Sequence, residues 1–195
     1  MTHPRQENTV LAPEIEASDW VNTPEPIMLA HLRGRVVLVE AFQMLCPACV
    51  SHSLPQAMRV MATFGTDDVF VLGLHSVFEH HAAQGTRSAL SAFLHEYRIS
   101  FPVAIDMQSG AGRLPKTMSA YEMQGTPTLL LIDRQGRLRK HWFGPQPDLK
   151  LGAEIMALVA ESGDVPNVGD VAVTDPEAHS SNRCAVPTMD ADAAG

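Results

Sequence analysis

Cysteine is scarce in this chain, three among 195 residues, which is too few for a fold stapled by disulfides. Lys and Arg are also in short supply, 14 against 22 Asp and Glu, for a net charge of −8. That balance argues against a non-specific binder of nucleic acid or other polyanions. No apolar run approaches the roughly 18–20 residues that a membrane span needs. The start, Met1 to Glu7, lacks a cationic segment followed by an apolar one, so no signal peptide is visible. A cytoplasmic location is therefore expected, unless an exported chain has lost its leader. There is no internal repeat. What is present is an ordinary globular balance, 45% apolar and 18% charged, enough for one sizeable core.

The charge is unevenly spread. Residues 163–195 hold six acids and one Arg, with a few scattered valines and no period. Such a segment cannot bury enough apolar surface to offset the entropy of ordering it. The expected organisation is a flexible N-terminus over 1–12, one domain over 13–162 and a flexible acidic tail over 163–195.

Within that domain, Val36 to Phe42 is a continuous, Val-rich apolar run, the pattern of a strand buried on both faces. A helical stretch follows with Leu54, Met58, Met61 and Ala62 on one face. Val69 to His75 is a second buried strand. Thr86 can cap a helix in which Leu90, Phe93, Leu94 and Tyr97 recur at helical spacing. Phe101 to Ile105 and Thr128 to Ile132 are further strands, and Asp133 to Gly136 is a hairpin loop returning Arg137 to Phe143 antiparallel. Leu151, Ile155, Leu158 and Val159 stripe a closing helix that Asp148 could cap. Strand–helix alternation followed by a hairpin and a helix predicts an α/β fold, a mixed sheet covered on both faces.

Two of the cysteines, Cys46 and Cys49, are three residues apart, just past a buried strand and at the start of a helix. Pro47 falls at the first helical position, which suits proline. The free N–H groups and dipole of a helix N-terminus stabilise a thiolate, so Cys46 should ionise more readily than a free cysteine. Cys49, one turn deeper, is within disulfide reach, so the pair can attack a disulfide and resolve the mixed disulfide internally. The alternatives are half of a zinc site, for which a second cysteine pair is missing, and a purely structural pair. No metal or cofactor is expected.

Two features elsewhere support redox chemistry. Thr126-Pro127 directly precedes a buried strand, where a trans proline would be awkward, so a cis bond is expected. Glu40 is an acid inside an otherwise apolar strand, six residues before Cys46. A lone buried carboxylate is costly. Glu40 either points out at a sheet edge or acts as a raised-pKa acceptor for the proton of Cys49; alternation along this strand does not decide between them.

A buried strand, CxxC at a helix start, then Gly125-Thr126-Pro127-Thr128 before a strand and hairpin resembles the thioredoxin-like proteins. Ile27 to Phe42, Gly73-Leu-His-Ser76, Tyr97-Arg-Ile-Ser100 and Phe101 to Asp106 are similar to the TlpA/ResA-type disulfide reductases and the thioredoxin domains of DipZ-like and NHL-repeat proteins. The resemblance covers about residues 20–162. It implies a three-layer sandwich with an N-terminal extension, and thiol–disulfide oxidoreductase activity on protein or small-molecule disulfides with an unidentified electron donor. By the same resemblance Cys46 is the nucleophile, Cys49 the resolving thiol and Pro127 the cis proline facing them. The Thr126 backbone pairs with substrate, and Glu40 falls where thioredoxin has a buried aspartate. There are departures. Leu45 stands where an aromatic residue commonly precedes the first cysteine. Pro55 lies one residue later than usual after Cys49, which predicts a bulge in the first helical turns. The Pro-Ala dipeptide between the cysteines leaves the direction of electron flow open.

His75 ends the strand expected beside the CxxC strand, so it should open onto the same rim as Cys46. Leu45, Pro47, Thr126 and His75 are thus the candidate substrate contacts, although a histidine satisfied by loop backbone is the simpler account of His75. His80-His81 read as a solvated loop. Met44, Met58 and Met61 with His52 could suggest soft-metal binding, but Met58 and Met61 sit at helical spacing, as core filler would. Cys184 in the tail reads as an incidental thiol. A peroxidase would want a Pro and a Thr or Ser near Val39 and Gln43, and neither is there. A copper chaperone or docking module of the same fold is the non-enzymatic alternative.

Overall fold

The computed structural model describes residues 10–110 and 114–161. The expected tail over 163–195, Cys184 and residues 1–9 lie outside these. The elements in chain order are β1 (Ala17–Val21), a 3-10 turn (Leu29–Leu32), β2 (Val36–Phe42), a π-helical turn (Cys49–Ser53), α1 (Leu54–Thr63), β3 (Val69–His75), α2 (His81–Gln84), α3 (Arg87–Glu96), β4 (Val103–Asp106), α4 (Lys116–Ala120), β5 (Thr128–Ile132), β6 (Leu138–Phe143) and α5 (Asp148–Ala160).

All seven residues of β2 are buried because the strand is paired on both edges and covered on both faces. The sheet order is β1-β4-β3-β2-β5-β6. β2, β3 and β4 run parallel, while β5 pairs antiparallel with β2, β6 with β5, and β1 with β4. Alternate residues of β2 enter two cores. Val36, Leu38 and Phe42 face α1, α3 and α5 through Leu54, Ala57, Leu90, Leu94, Leu151 and Ile155. Val37, Val39 and Ala41 face the 3-10 turn and α4 through Leu29, Leu32 and Met118. Each fully buried Leu or Phe contributes roughly 1.5–3 kcal/mol, and this doubly covered strand anchors both layers.

The three parallel strands end on one edge of the sheet, which is where Cys46 and the loops after β3 and β4 gather. The hairpin between β5 and β6 closes as its sequence predicts: Gly136 takes φ +80°, and the Asp133 carboxylate accepts from the Gln135 and Arg137 amides. Thr86 caps α3, accepting from the Ala89 amide at 3.2 Å.

Four expectations are corrected. Residues 10–12 are not loose: Ala12 N donates to Gly136 O, Leu138 N donates to Val10 O, and Leu11 bridges Arg137. The open edge of β6 offers unpaired backbone groups, and this segment takes them up. Asp148 does not cap α5 but is its first residue; Pro147 holds the cap position, and the carboxylate pairs with Arg59. Ala62 is exposed, since α1 buries Leu54, Gln56, Ala57 and Val60, a face turned by the π-helical residues before it. Phe101 is buried ahead of β4 rather than within it.

Gly73, in the middle of β3, tests how tightly the face between β2 and β4 is packed. A Cβ there would lie 2.9 Å from a Val103 methyl, 3.0 Å from the Phe101 ring and 3.3 Å from the Phe42 ring. Gly73→Ala is expected to destabilise the fold by about 1–3 kcal/mol, as overpacking does. Urea unfolding checks this, and an unchanged midpoint would mean that this face has slack.

Candidate functional site

Past β2 the chain turns tightly, with Cys46 N donating to Gln43 O at 3.2 Å. Helical structure begins at Pro47, so Cys46 occupies the position just before the first helical residue. Val50 N donates to Cys46 O, and Cys49 N points at Cys46 Sγ from 3.2 Å. That amide is placed to stabilise a thiolate on Cys46 when the pair is reduced.

Here Cys46 and Cys49 form a disulfide with their Cα atoms 5.2 Å apart. Their environments differ. Cys46 is half-buried and Pro47 exposed, whereas Cys49 is fully buried against the α1 side of the sheet. The added residue between Cys49 and Pro55 is absorbed by the π-helical turn. Pro55 has no N–H to give to Ser51, and the ladder widens so that Leu54 N reaches Cys49 O. The Ser53 hydroxyl donates to the same oxygen at 3.4 Å.

Across from the disulfide, the Thr126-Pro127 bond is cis. Thr126 O lies 3.6 Å from Cys46 Sγ. Thr126 is half-buried and Pro127 buried, and Gly144 N donates to Pro127 O. Leu45 is 56% exposed and Phe143 54% exposed; the Phe143 ring lies against Gly125. Leu45 thus offers apolar surface next to Cys46 in the chain, and Phe143 offers it beside the segment that carries Thr126-Pro127. Phe143 was not singled out from sequence, since an aromatic residue at a strand end carries no signal of its own.

Glu40 does not point out at a sheet edge. It is completely buried, and by parity with Leu38 and Phe42 it enters the same core as Cys49. Neither carboxylate oxygen has a hydrogen-bond partner among the described residues. Burial pushes the carboxyl up to about 8.

His75 corrects another expectation. It ends β3 at the rim and pairs with Phe42 in register, yet it is only 1% exposed. The two rings lie 5.3 Å apart, and Nε2 has no partner among the described residues. Burial lowers its pKa to about 4. The reason is parity: His75 shares its side of β3 with Val69 and Val71, which face the core, so it is withdrawn from substrate. His80 and His81 are exposed, as expected, but they do not lie in a loop: His81 opens α2 and His80 holds its cap position. Met58 and Met61 pack against the core, and His52 is exposed with Nδ1 against the Ser51 hydroxyl. No cluster of three His, Cys, Asp or Glu able to hold a metal ion occurs among the described residues. Sequence reasoning also missed Gln43 and Gln84, two buried amides behind the Cys46 turn. A buried Gln directly after an apolar strand is a faint signal for the first; the second has none.

Glu40 and His75 give stability a pH dependence of opposite signs. Between about 4.5 and 8 the folded state holds the Glu40 proton and the unfolded state releases it, so stability falls as pH rises. Between about 4 and 6.5 the unfolded state binds a proton that buried His75 does not, so stability rises with pH. The two offset each other below 6.5, and Glu40 alone acts above it. Unfolding free energy should decline between pH 6.5 and 8 in the native protein and lose that decline in Glu40→Gln. Denaturant titrations across this range check it; an equal decline in the variant would contradict the buried carboxyl.

The comparisons with known proteins agree with this geometry. The Redoxin family model matches residues 7–154. The crystal structure of a thioredoxin-like superfamily protein aligns with a TM-score of 0.75 at 56% identity, covering 78% of this chain and 97% of that one. A thiol-disulfide isomerase from Corynebacterium glutamicum aligns with a TM-score of 0.76 at 45% identity, covering 80% and 99%. DipZ of Mycobacterium bovis is 27% identical over 136 residues, which is 68% of this chain but 18% of DipZ. The chain thus spans a small part of that curated relative. With a CxxC disulfide at the end of a central strand and a family model matching most of its length, the chain belongs to the Redoxin family.

Proposed function

We propose that the chain is a thiol–disulfide oxidoreductase that cycles Cys46 and Cys49 between dithiol and disulfide. The observation that carries this is the asymmetry of the pair: Cys46 meets solvent at a helix N-terminus beside Thr126-Pro127, while Cys49 is buried on the face that holds Glu40. An accessible, stabilised thiolate attacks, and a protected thiol resolves.

In the reducing direction the Cys46 thiolate attacks one sulfur of a substrate disulfide. The substrate S–S bond breaks, its electron pair leaves on the other sulfur, and a mixed disulfide joins Cys46 to the substrate. Glu40, in its ionised form, then takes the proton of Cys49, and Cys49 attacks Cys46 Sγ. The second substrate sulfur departs as a thiolate, and the Cys46–Cys49 disulfide remains. The substrate gains two electrons and the protein loses two, so a dithiol donor must return them; reversal of the same steps oxidises a substrate dithiol. Leu45 and Pro47 beside Cys46, with Phe143 beside the Thr126-Pro127 segment, form the apolar surface of the site, and the Thr126 backbone is the polar contact available to a substrate chain. This arrangement favours protein disulfides flanked by apolar side chains over small charged ones.

Reduced protein should reduce insulin disulfides, and Cys46→Ser should abolish that turnover. Cys49→Ser should instead accumulate a mixed disulfide through Cys46, visible by mass spectrometry. Glu40→Gln should slow resolution by the 10²–10⁴-fold typical of a lost general base while leaving the first attack near its native rate. Turnover surviving in Cys46→Ser would overturn the assignment of the nucleophile, and native resolution in Glu40→Gln would remove Glu40 from the chemistry.

A further inference from the structure

The turn that presents Cys46 is short, yet it is held from behind by a distant segment. Gln84, the last residue of α2, is completely buried. Its Oε1 accepts from Leu45 N at 3.1 Å. Its Nε2 donates to Gln43 Oε1 at 2.9 Å and to Glu79 O at 2.9 Å. Gln43 is also buried; its Oε1 accepts from Phe78 N at 3.3 Å, and its Nε2 faces Glu79 Oε1 at 3.4 Å. Gln43 supplies the carbonyl that receives Cys46 N, and Leu45 is the residue before Cys46. The two amides therefore grip both the first residue of the turn and the last one before the nucleophile.

Nothing in the proposed chemistry uses these groups directly. Met44 and Leu45 lie between a strand and a helix, and Leu45 is largely exposed. Core packing holds the turn at Met44, which is buried, but it does not reach the exposed Leu45 next to the nucleophile. Attack on a disulfide needs the sulfur aligned with the bond that breaks, and small misplacements of a reacting group are costly. The position of Cys46 Sγ over Cys49 N, which stabilises the thiolate, depends on the same backbone.

We propose that Gln84 is a positioning residue for the reaction, acting through Leu45 N and Gln43 to hold Cys46 at the helix N-terminus. This rests on the oxidoreductase reading of the site. Gly85 belongs to the same device. A Cβ at Gly85 would lie 2.5 Å from the His81 carbonyl oxygen, so only glycine lets α2 close with Gln84 turned inward.

The test uses the full chain in a Cys184→Ser background, so that alkylation reports on Cys46. Rates of iodoacetamide alkylation against pH, and kcat and KM for a peptide disulfide, are compared with thermal melting. Gln84→Met keeps the shape and loses every hydrogen bond. It should raise the Cys46 thiolate pKa and lower kcat/KM by about tenfold or more, within the roughly 10²-fold that an ångström of misplacement costs, with the loss mainly in kcat. Gln84→Glu keeps the acceptor for Leu45 N. Its rate relative to the native protein should be highest at low pH and fall as the new carboxyl ionises. Gly85→Ala leaves both amides in place but displaces α2, and it should lose rate in the same direction; it decides the matter if Gln84→Met does not fold. A lower melting temperature with unchanged Cys46 pKa and kcat would make Gln84 merely structural and overturn the proposal. If the native protein alkylates normally but turns over no disulfide, the oxidoreductase reading fails, while the alkylation ratios still decide the role of Gln84.

Discussion

A strand hydrogen-bonded on both edges and covered on both faces leaves each of its side chains one of two directions, both inward. β2 is that strand, and the rest of the structure depends on its parity. Leu38, Glu40 and Phe42 go to the α1 side; Val37, Val39 and Ala41 go to the other. Because β2 runs straight into the Cys46 turn, the parity that buries Glu40 also places it on the face where Cys49 arrives one helical turn later. A register slip of one residue would put the carboxyl on the opposite face of the sheet.

The helix that follows has to satisfy two requirements at once. Its first turn must expose Cys46 and bury Cys49, and its later turns must lay Leu54, Ala57 and Val60 on β2 and β3. Pro55 interrupts the ladder between these parts. The π-helical turn reconciles them: it takes in the extra residue, brings Ser53 beneath Cys49, and rotates the remaining helix onto the core. Local irregularity is thus confined to the five residues that separate the chemistry from the packing.

How much of this was legible in the sequence depends on the range of the interaction concerned. The runs Val36 to Phe42 and Thr128 to Ile132 are strands whatever surrounds them, and CxxC after the first locates the chemistry. The bulge before Pro55 follows from a one-residue offset. β1 was not legible, because its alternation is weak and its partner β4 lies far along the chain. Glu40 could be seen as an anomaly, yet its direction could not, since a strand with apolar residues on both sides offers no alternation to count. His75 was placed at the correct strand end but on the wrong side of exposure, for want of the same parity. Gln84 bonds to residues 39 and 41 positions away, and no local pattern encodes such a partnership.

Glu40 also bears on which half of the redox cycle the oxidised protein is prepared for. With its pKa pushed up to about 8 and no partner for either oxygen among the described residues, the carboxyl is mostly protonated at neutral pH, with a minority ionised. When a donor thiolate opens the Cys46–Cys49 bond by attacking Cys46, the electron pair is left on Cys49, deep in an apolar face where a bare thiolate is poorly solvated. In the proposed cycle the Glu40 proton, on the same face, neutralises it. In the opposite direction the same pair exchanges the same proton the other way, as microscopic reversibility requires. An acid whose pKa lies within about one unit of the working pH serves both directions with little bias. Burial of Glu40 makes stability fall as pH rises from about 4.5 to 8, and in the proposed chemistry the same burial gives the buried sulfur a proton that can move either way.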